Sequence, residues 1–242
     1  MYHSIDFDDR NTWTDWHLVP TSRPVIAPPE VKNKTIDIPG ANGVLDLTDS
    51  LTKYPIYGNR TGSFEFMVVN DFYQIVNTHQ EWHERYSEIM NYLHGQRMEM
   101  RLEDDPDWWY FGRFKVDSWS TGRSHSTITI SYDLDPFKIY DTVGIKQLTA
   151  SSSTQTVYFY QTTDNLGDVP ITPRIQVSGA ATGGVEIRFV NSYLGIDVKQ
   201  IFRNGLNDAP RFVFYGSSSY RMEYKAVSGS ANISVTWQKG SL

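Results

Sequence analysis

The stretch Arg97-Met98-Glu99-Met100-Arg101-Leu102-Glu103-Asp104-Asp105-Pro106-Asp107-Trp108-Trp109-Tyr110-Phe111-Gly112-Arg113-Phe114-Lys115-Val116 decides the fold class of this chain. Residues 97–103 alternate strictly, so Met98, Met100 and Leu102 share one face, as on a half-buried strand. Asp104-Asp105-Pro106-Asp107 reads as a turn, because Pro106 presets φ and the carboxylates bond nearby amides. Trp108 to Val116 is a second strand, and residues 97–116 are expected to form a β-hairpin. Trp108-Trp109-Tyr110-Phe111 makes both faces of that strand aromatic. One reading is a strand buried on both sides of a sandwich. The other is a hairpin arm whose second face packs on a neighbouring subunit, where Trp and Tyr are favoured. Trp13 and Trp16 pose the same question.

Immediately upstream lies a helix signal, expected over residues 79–94. Trp82, Tyr86, Ile89, Met90 and Leu93 form one apolar stripe at helical spacing. Thr78 with Glu81 makes a capping box, Glu81 and Arg85 an i,i+4 pair, and Gly95 a left-handed stop. Downstream everything reads as strand. Thr127 to Leu134 puts Ile128, Ile130, Tyr132 and Leu134 on one side. Further short runs are Val157–Tyr160, Arg174–Val177, Val185–Val190, Phe212–Tyr215, Tyr220–Tyr224 and Ile233–Trp237. Short alternating strands without a helical window mean a β-sandwich or barrel.

The 242 residues fit one large or two ordinary domains. The polar run Thr149-Ala150-Ser151-Ser152-Ser153-Thr154-Gln155-Thr156 suggests two, residues 1–140 and 157–242, with a linker over 141–156. Charge divides there too. Residues 1–140 hold 13 basic against 21 acidic residues, a net of −8, and residues 141–242 hold 9 against 7, a net of +2. An acidic balance argues against a nucleic-acid-binding domain. Absence of cysteine excludes a disulfide framework, thiolate-bound metal and a cysteine nucleophile, and fits folding in a reducing compartment. The start Met1-Tyr2-His3-Ser4-Ile5-Asp6 lacks the basic and apolar regions of a signal peptide, and no run of about 18 apolar residues is present to span a membrane.

A search for chemistry finds little. His79 and His83 have zinc-pair spacing, but Gln80 follows the first where the zincin motif requires Glu, and both lie off the apolar stripe. Asp6-Phe7-Asp8-Asp9-Arg10-Asn11 starts like a calcium loop, yet Arg10 occupies a ligand position and the required glycine is missing. Glu103, Asp104, Asp105 and Asp107 contain enough carboxylates for a glycosidase pair, but crowding at a turn favours solvated turn formers. Nucleophile-elbow, phosphate-loop and dinucleotide motifs are lacking. The expectation is no enzyme, no cofactor and no metal.

Residues 20–140 resemble the distal tail (Dit) proteins of siphophages. The stretches that carry the resemblance are Arg23-Pro24-Val25-Ile26-Ala27-Pro28-Pro29-Glu30 and Ile36-Asp37-Ile38-Pro39-Gly40-Ala41-Asn42-Gly43-Val44-Leu45-Asp46-Leu47-Thr48. Asn59-Arg60 before Phe64-Glu65-Phe66 follows, then Leu93-His94-Gly95 and Asp104-Asp105-Pro106 with Tyr110-Phe111-Gly112-Arg113. Asp135-Pro136-Phe137-Lys138 closes the match. The second half resembles the galectin-like sandwich of such proteins, with Gly205-Leu206-Asn207 keeping part of a final turn. The resemblance implies a mainly β protein of two β-sandwich domains, the first a belt domain with one helix and a protruding hairpin. It implies a hexameric ring, single or as two stacked rings, that joins the major tail (tube) protein to the tail-tip or tail-associated lysin protein. Receptor-binding or baseplate proteins would anchor on it, and DNA would pass through without specific binding. The place of action would be the virion tail tip, after assembly in the host cytoplasm. Under this resemblance Met98, Met100, Trp108, Trp109, Tyr110 and Phe111 become candidates for the interface between protomers. The alternative is a saccharide-binding module using Trp237 and the Tyr-rich 157–160 and 215–224 segments; a third reading, a cell-wall glycosidase, would use Glu103 and Asp107.

Overall fold

The computed structural model describes residues 2–40, 42–50, 52–69, 79–121, 126–217 and 219–242, with backbone only for 79–81. The chain forms two compact units, one of Met1–Thr48 and Pro55–Lys138, the other of Asp49–Tyr54 and Ile139–Ser241.

The first unit contains β1 (Ile5–Phe7), β2 (Arg10–Asn11), β3 (Leu18–Pro20), β4 (Thr35–Asp37), β5 (Val44–Asp46), β6 (Arg60–Val68), α1 (His79–Leu93), β7 (Arg97–Leu102), β8 (Trp108–Thr121) and β9 (Ser126–Leu134). Antiparallel pairing runs in the order β2-β1-β7-β8-β9-β6-β3. The two ends of this sheet meet at Thr12, whose N–H donates to Ile5 O and whose carbonyl accepts from the Leu18 N–H at 2.7 Å. The fully buried Thr12 hydroxyl also takes the Ile5 N–H at 2.9 Å, so that amide is satisfied at the closure.

The expected inward alternation holds. Ile128, Ile130, Tyr132 and Leu134 of β9 face Phe64, Phe66 and Val68 of β6, and all are buried. Helix α1 ends at Leu93, and Gly95 at φ 78° breaks it, its N–H turning to Phe114 O at 2.8 Å. Trp82, Ile89 and Leu93 bury completely in the core, with Tyr86 and Met90 partly covered. Burying Ile89 or Leu93 contributes about 1.5–3 kcal/mol each. The capping residue Thr78 and the side chain of Glu81 lie outside the described residues. Arg85 donates to the carbonyls of Trp16 (3.0 Å) and Val69 (3.1 Å), and its expected pairing with Glu81 falls on a side chain outside the described residues.

Two expectations are corrected here. Residues 97–116 do form a hairpin, but not a protruding one: β7 is paired on both sides, with β1 and β8. Its turn is tied down as well, by Ser4 on Glu103 (2.8 Å), His3 and Arg23 on Asp104 (2.9 and 2.8 Å) and Lys138 on Asp105 (2.7 Å). Alternation cannot distinguish an edge strand from a central one, because the face pattern is the same in both. Second, β8 continues beyond Val116 to Thr121 through a bulge at Asp117. An exposed ribbon is found elsewhere: among the described residues β4 and β5 pair only with each other, and none of their residues is buried.

The second unit contains β10 (Lys138–Ala150), β11 (Gln155–Tyr160), β12 (Arg174–Ser178), β13 (Val185–Asn191), β14 (Ile196–Phe202), β15 (Gly205–Asp208), β16 (Ser219–Ala226) and β17 (Ala231–Ser241). They form two four-stranded layers, β15-β12-β17-β10 and β11-β16-β13-β14. An aromatic core lies between them, with Phe159 against Trp237 (5.4 Å between centroids), Phe189 against Phe212 (5.0 Å) and Phe214 against Tyr220 (5.0 Å). The strand β17 stays in this unit, paired with β12.

The expected linker over 141–156 is corrected: strands occupy it up to Ala150 and from Gln155. The pattern misleads because β10 turns Val143 and Ile145 outward while Gly144 and Lys146 face inward. Gly144 leaves room for Trp237, which a Cβ would meet at 2.3 Å, and the Lys146 ammonium caps Asp164 and Tyr158 O. Phe212–Tyr215 is not a strand. Phe212 and Phe214 fill the core, Phe214 makes a single bridge to Ile171, and buried Asn191 donates its side-chain amide to the carbonyls of Val213 (2.9 Å) and Tyr215 (3.1 Å).

Candidate assembly surfaces

The aromatic hairpin is satisfied within its own protomer. Met98, Met100 and Tyr110 point inward at 5%, 0% and 6% exposure, so these interface candidates belong to the protomer's core. The opposite face is capped by cations from the neighbouring strand: Arg97 lies 4.5 Å over the Phe111 ring and Arg101 4.5 Å over Trp109. Lys138 lies 4.7 Å from the centre of Trp108. Such contacts are worth about 0.5–1 kcal/mol each when exposed. The arginines are themselves held, Arg97 by Asp135 (2.7 Å) and Arg101 by Asp6 (3.0 Å). Trp108 and Trp109 are half-buried and Phe111 is the most open of the run.

The motif residues at the end of the first unit converge in one clasp. Arg60, 5% exposed, donates from Nε to Pro136 O at 2.9 Å and from Nη1 to Ala27 O at 3.2 Å. Asn59 donates to Asp133 (2.7 Å), the Asp135 N–H to Phe111 O (2.8 Å) and the Ala27 N–H to the Tyr132 hydroxyl (3.1 Å). Gly112 is required by close approach, since a Cβ there would lie 2.3 Å from Asp133 O. Arg113 donates to Gly95 O, and Pro106 stands in the tied-down turn. These residues hold structure and present no reactive group.

The ribbon differs in kind. Its turn is made by Pro39 with Gly40 and Gly43, both at positive φ (83° and 81°), where a Cβ would be strained. Asp46 accepts the Thr48 N–H at 2.9 Å, and bonds from the Thr48 side chain and amide hold its carboxyl below the usual range. Ile36 stands directly opposite Leu45, so the two share a face, with Ile38 two residues along. Their exposures are 44%, 46% and 47%. A lone two-stranded ribbon is marginal in water, and an exposed apolar face on one makes it a candidate contact surface.

Most of the carboxylates considered for chemistry are engaged in structure, Glu103, Asp104 and Asp105 in the turn already described. Asp6 binds Arg101 and Asn11, Asp8 accepts the Glu99 N–H, and Asp9 accepts the Tyr92 hydroxyl. The side chain of His79 and all of His125 lie outside the described residues; His83 meets the Trp119 ring edge-on. Among the described residues no three His, Asp or Glu side chains come together as a metal site, and no helix is long and apolar enough to cross a membrane. Of the aromatics considered for sugars, Trp237, Tyr220 and Tyr224 are buried, whereas Tyr158 and Tyr160 face outward. The outward pair was legible from alternation along β11; the apolar ribbon was legible only as a motif, since its isolation depends on pairings elsewhere.

No protein-family model matches the chain, and no curated protein matches it. Among solved structures, the crystal structure of the SPP1 Dit protein aligns with it at a TM-score of 0.63 and 16% identity, covering 100% of both chains. That protein is described as a paradigm of the hub adsorption apparatus in phages infecting Gram-positive bacteria. Over its whole length, this chain is similar in fold to that Dit protein.

Proposed function

We propose that the chain is a structural hub of a phage tail tip, in which six copies of the first unit close into a ring between the tail tube and the tail-tip protein. The observation that carries this reading is the ribbon β4–β5, whose apolar face of Ile36, Ile38 and Leu45 is 44–47% exposed. Its occupant is a second copy of this chain, because a ring-closing contact must leave every protomer alike and the ribbon is the element left outside the sheet. Full-length likeness in fold to a protein described as a hub supports the reading. The balance of −8 over residues 1–140 supports it too, since an acidic ring lets DNA phosphates slide where a basic one would hold them. Receptor-binding proteins and the tail-tip protein are the partners this role calls for, and the virion is its location.

Native mass spectrometry and negative-stain microscopy of the purified chain, alone and mixed with its tail partners, test the proposal. A six-fold ring with a central hole is expected. A strict monomer in both conditions would overturn it.

A further inference from the structure

The outer face of the layer β11-β16-β13-β14 is laid out in rows fixed by its registers. Thr156 stands opposite Glu223, Glu223 opposite Arg188 and Arg188 opposite Lys199. The next rows hold Tyr158 opposite Arg221 and Lys225 opposite Glu186. Directly opposed residues share a face, so all of these project outward together. Ion pairs lock them in place. Arg188 holds Asp197 through two nitrogens (2.7 and 2.6 Å) and Glu223 at 3.1 Å, while Glu186 is held by Lys199 (2.8 Å) and Lys225 (3.3 Å). Arg221 Nε lies 3.3 Å from Glu223.

Beside this lattice stand Tyr158 and Tyr160 on the edge strand β11. Their ring centroids are 6.3 Å apart with planes inclined by 26°, and the residues are 46% and 47% exposed. Edge strands are ordinarily guarded by charged side chains, so two open, parallel aromatic rings there call for an occupant. Their backbone is anchored, with Lys146 donating to Tyr158 O at 2.8 Å and the Tyr160 N–H donating to Asp164 at 2.6 Å. A shallow groove lined by Thr154, Glu186, Arg188, Lys199, Glu223 and Lys225 opens on the same face.

We propose that this face binds a saccharide chain, with Tyr158 and Tyr160 stacking on sugar rings and Arg221, Glu223 and Arg188 bonding the hydroxyls. A sugar presents an apolar C–H face and a rim of hydroxyls that both donate and accept. Tyrosine matches the first with an apolar ring and a wet hydroxyl end. Oriented carboxylates and guanidinium groups match the second with charge-assisted hydrogen bonds. Because the ion pairs already order these side chains, little rotamer freedom is left to lose on binding. A polyanion fits poorly, since Glu186, Asp197 and Glu223 are interleaved with the cations. A protein partner would want a larger apolar centre than the Val190 and Ile201 side chains supply on this face. The inference concerns the second unit alone and stands whether or not the chain forms a ring.

The test is binding of the full-length chain to an array of linear hexose and N-acetylhexosamine oligosaccharides, followed by calorimetry on the hits. At least one oligosaccharide is expected to bind saturably. Replacing both tyrosines, Tyr158→Ala with Tyr160→Ala, is expected to weaken it about tenfold or more, corresponding to roughly 1.4 kcal/mol. Tyr158→Phe with Tyr160→Phe should retain most of the affinity, because the stacking ring survives. Glu223→Gln should weaken binding without lowering the melting temperature. Failure of every oligosaccharide to bind, or equal binding by the double alanine variant, would overturn the proposal.

Discussion

Arg60 at the start of β6 donates to the carbonyl of Pro136 across 2.9 Å, although the two residues are 76 positions apart. The same guanidinium reaches Ala27 O, and its carbon lies 5.8 Å from the centre of the Tyr110 ring. Burial pushes its pKa below the ordinary arginine value. One side chain therefore joins the segment that leads towards the ribbon, the sheet, and the turn after β9. Its contacts are neutral carbonyls and an aromatic face, so it acts as a multi-pronged donor more than as an ion-pair partner.

Removing that donor leaves two carbonyls without their bonds. Arg60→Met keeps most of the apolar stem but none of the hydrogen bonds, and each buried acceptor left bare costs about 1–3 kcal/mol. A loss of about 3 kcal/mol is expected for the first unit, read as a lower urea midpoint in equilibrium unfolding. Arg60→Lys should recover only part of it, because one ammonium cannot reproduce the fork. An unchanged midpoint for the methionine variant would show that the clasp contributes nothing.

Gly112 and Gly95 separate steric need from backbone need. At Gly112 an added Cβ meets Asp133 O at 2.3 Å and Leu134 Cα at 2.5 Å, both backbone, so β8 and β9 would have to part. At Gly95 nothing lies within 4 Å, but φ is 78°. Gly95→Ala is expected to cost about 1 kcal/mol, the usual left-handed penalty. Gly112→Ala should cost about 3 kcal/mol, in the range of strained core insertions. Thermal unfolding of both variants gives the ordering, and a milder effect at Gly112 than at Gly95 would contradict the packing account.

The alternation of β9 and the stripe of α1 were readable because each reports one local period, and Ile128, Ile130, Trp82 and Leu93 bury as those periods require. Long-range pairing was not readable. The register of β1 with β7 joins Ile5 to Leu102, and no residue type in either strand encodes that partner. Strand β10 hid behind its inversion, in which Gly144 is inside for the sake of Trp237 while Ile145 is outside at 58% exposure. The aromatic run of β8 invited an interface reading because its capping arginines sit on β7, visible in sequence but assigned to cation–π contacts only by geometry. Ile36 and Leu45 were visible as part of a motif, while their exposure is a property of the fold.

Tyr92 provides a pH test. Its hydroxyl has two acceptors within reach of its one proton, Asp9 at 2.6 Å and Phe7 O at 2.9 Å; burial first, then the Asp9 carboxylate, push its pKa up from the usual 10.0 to about 12. A pKa raised on folding means the folded state holds the proton longer. The contribution is then complete below pH 10 and is lost as pH rises towards about 12. Stability should fall across that window, and Tyr92→Phe should make the fall shallower while lowering stability at neutral pH by about 1 kcal/mol. Burial raises Tyr110, Tyr220 and Tyr224 as well, so the slope diminishes without vanishing. Denaturant titrations of both proteins between pH 8 and about 12 measure it, and parallel curves would rule out the assignment.

The ribbon and the aromatic hairpin make opposite predictions about assembly. Ile36 and Leu45 are exposed and stand outside the buried core, so Ile36→Lys with Leu45→Lys should leave the melting temperature of the isolated protomer unchanged within about 1 °C, as for surface substitutions of under 0.5 kcal/mol. The same pair places two ammonium groups where an apolar contact must form, and assembly should be abolished. Met98→Ala does the reverse: it opens a cavity in the protomer, costs about 2–5 kcal/mol, and leaves ring formation intact at temperatures where the protomer is folded. Trp109→Ala removes a ring already covered by Arg101 and should likewise spare assembly. Sedimentation velocity on the four proteins distinguishes the two surfaces. If Trp109→Ala dissociates the ring and the lysine pair does not, the interface belongs to the hairpin after all.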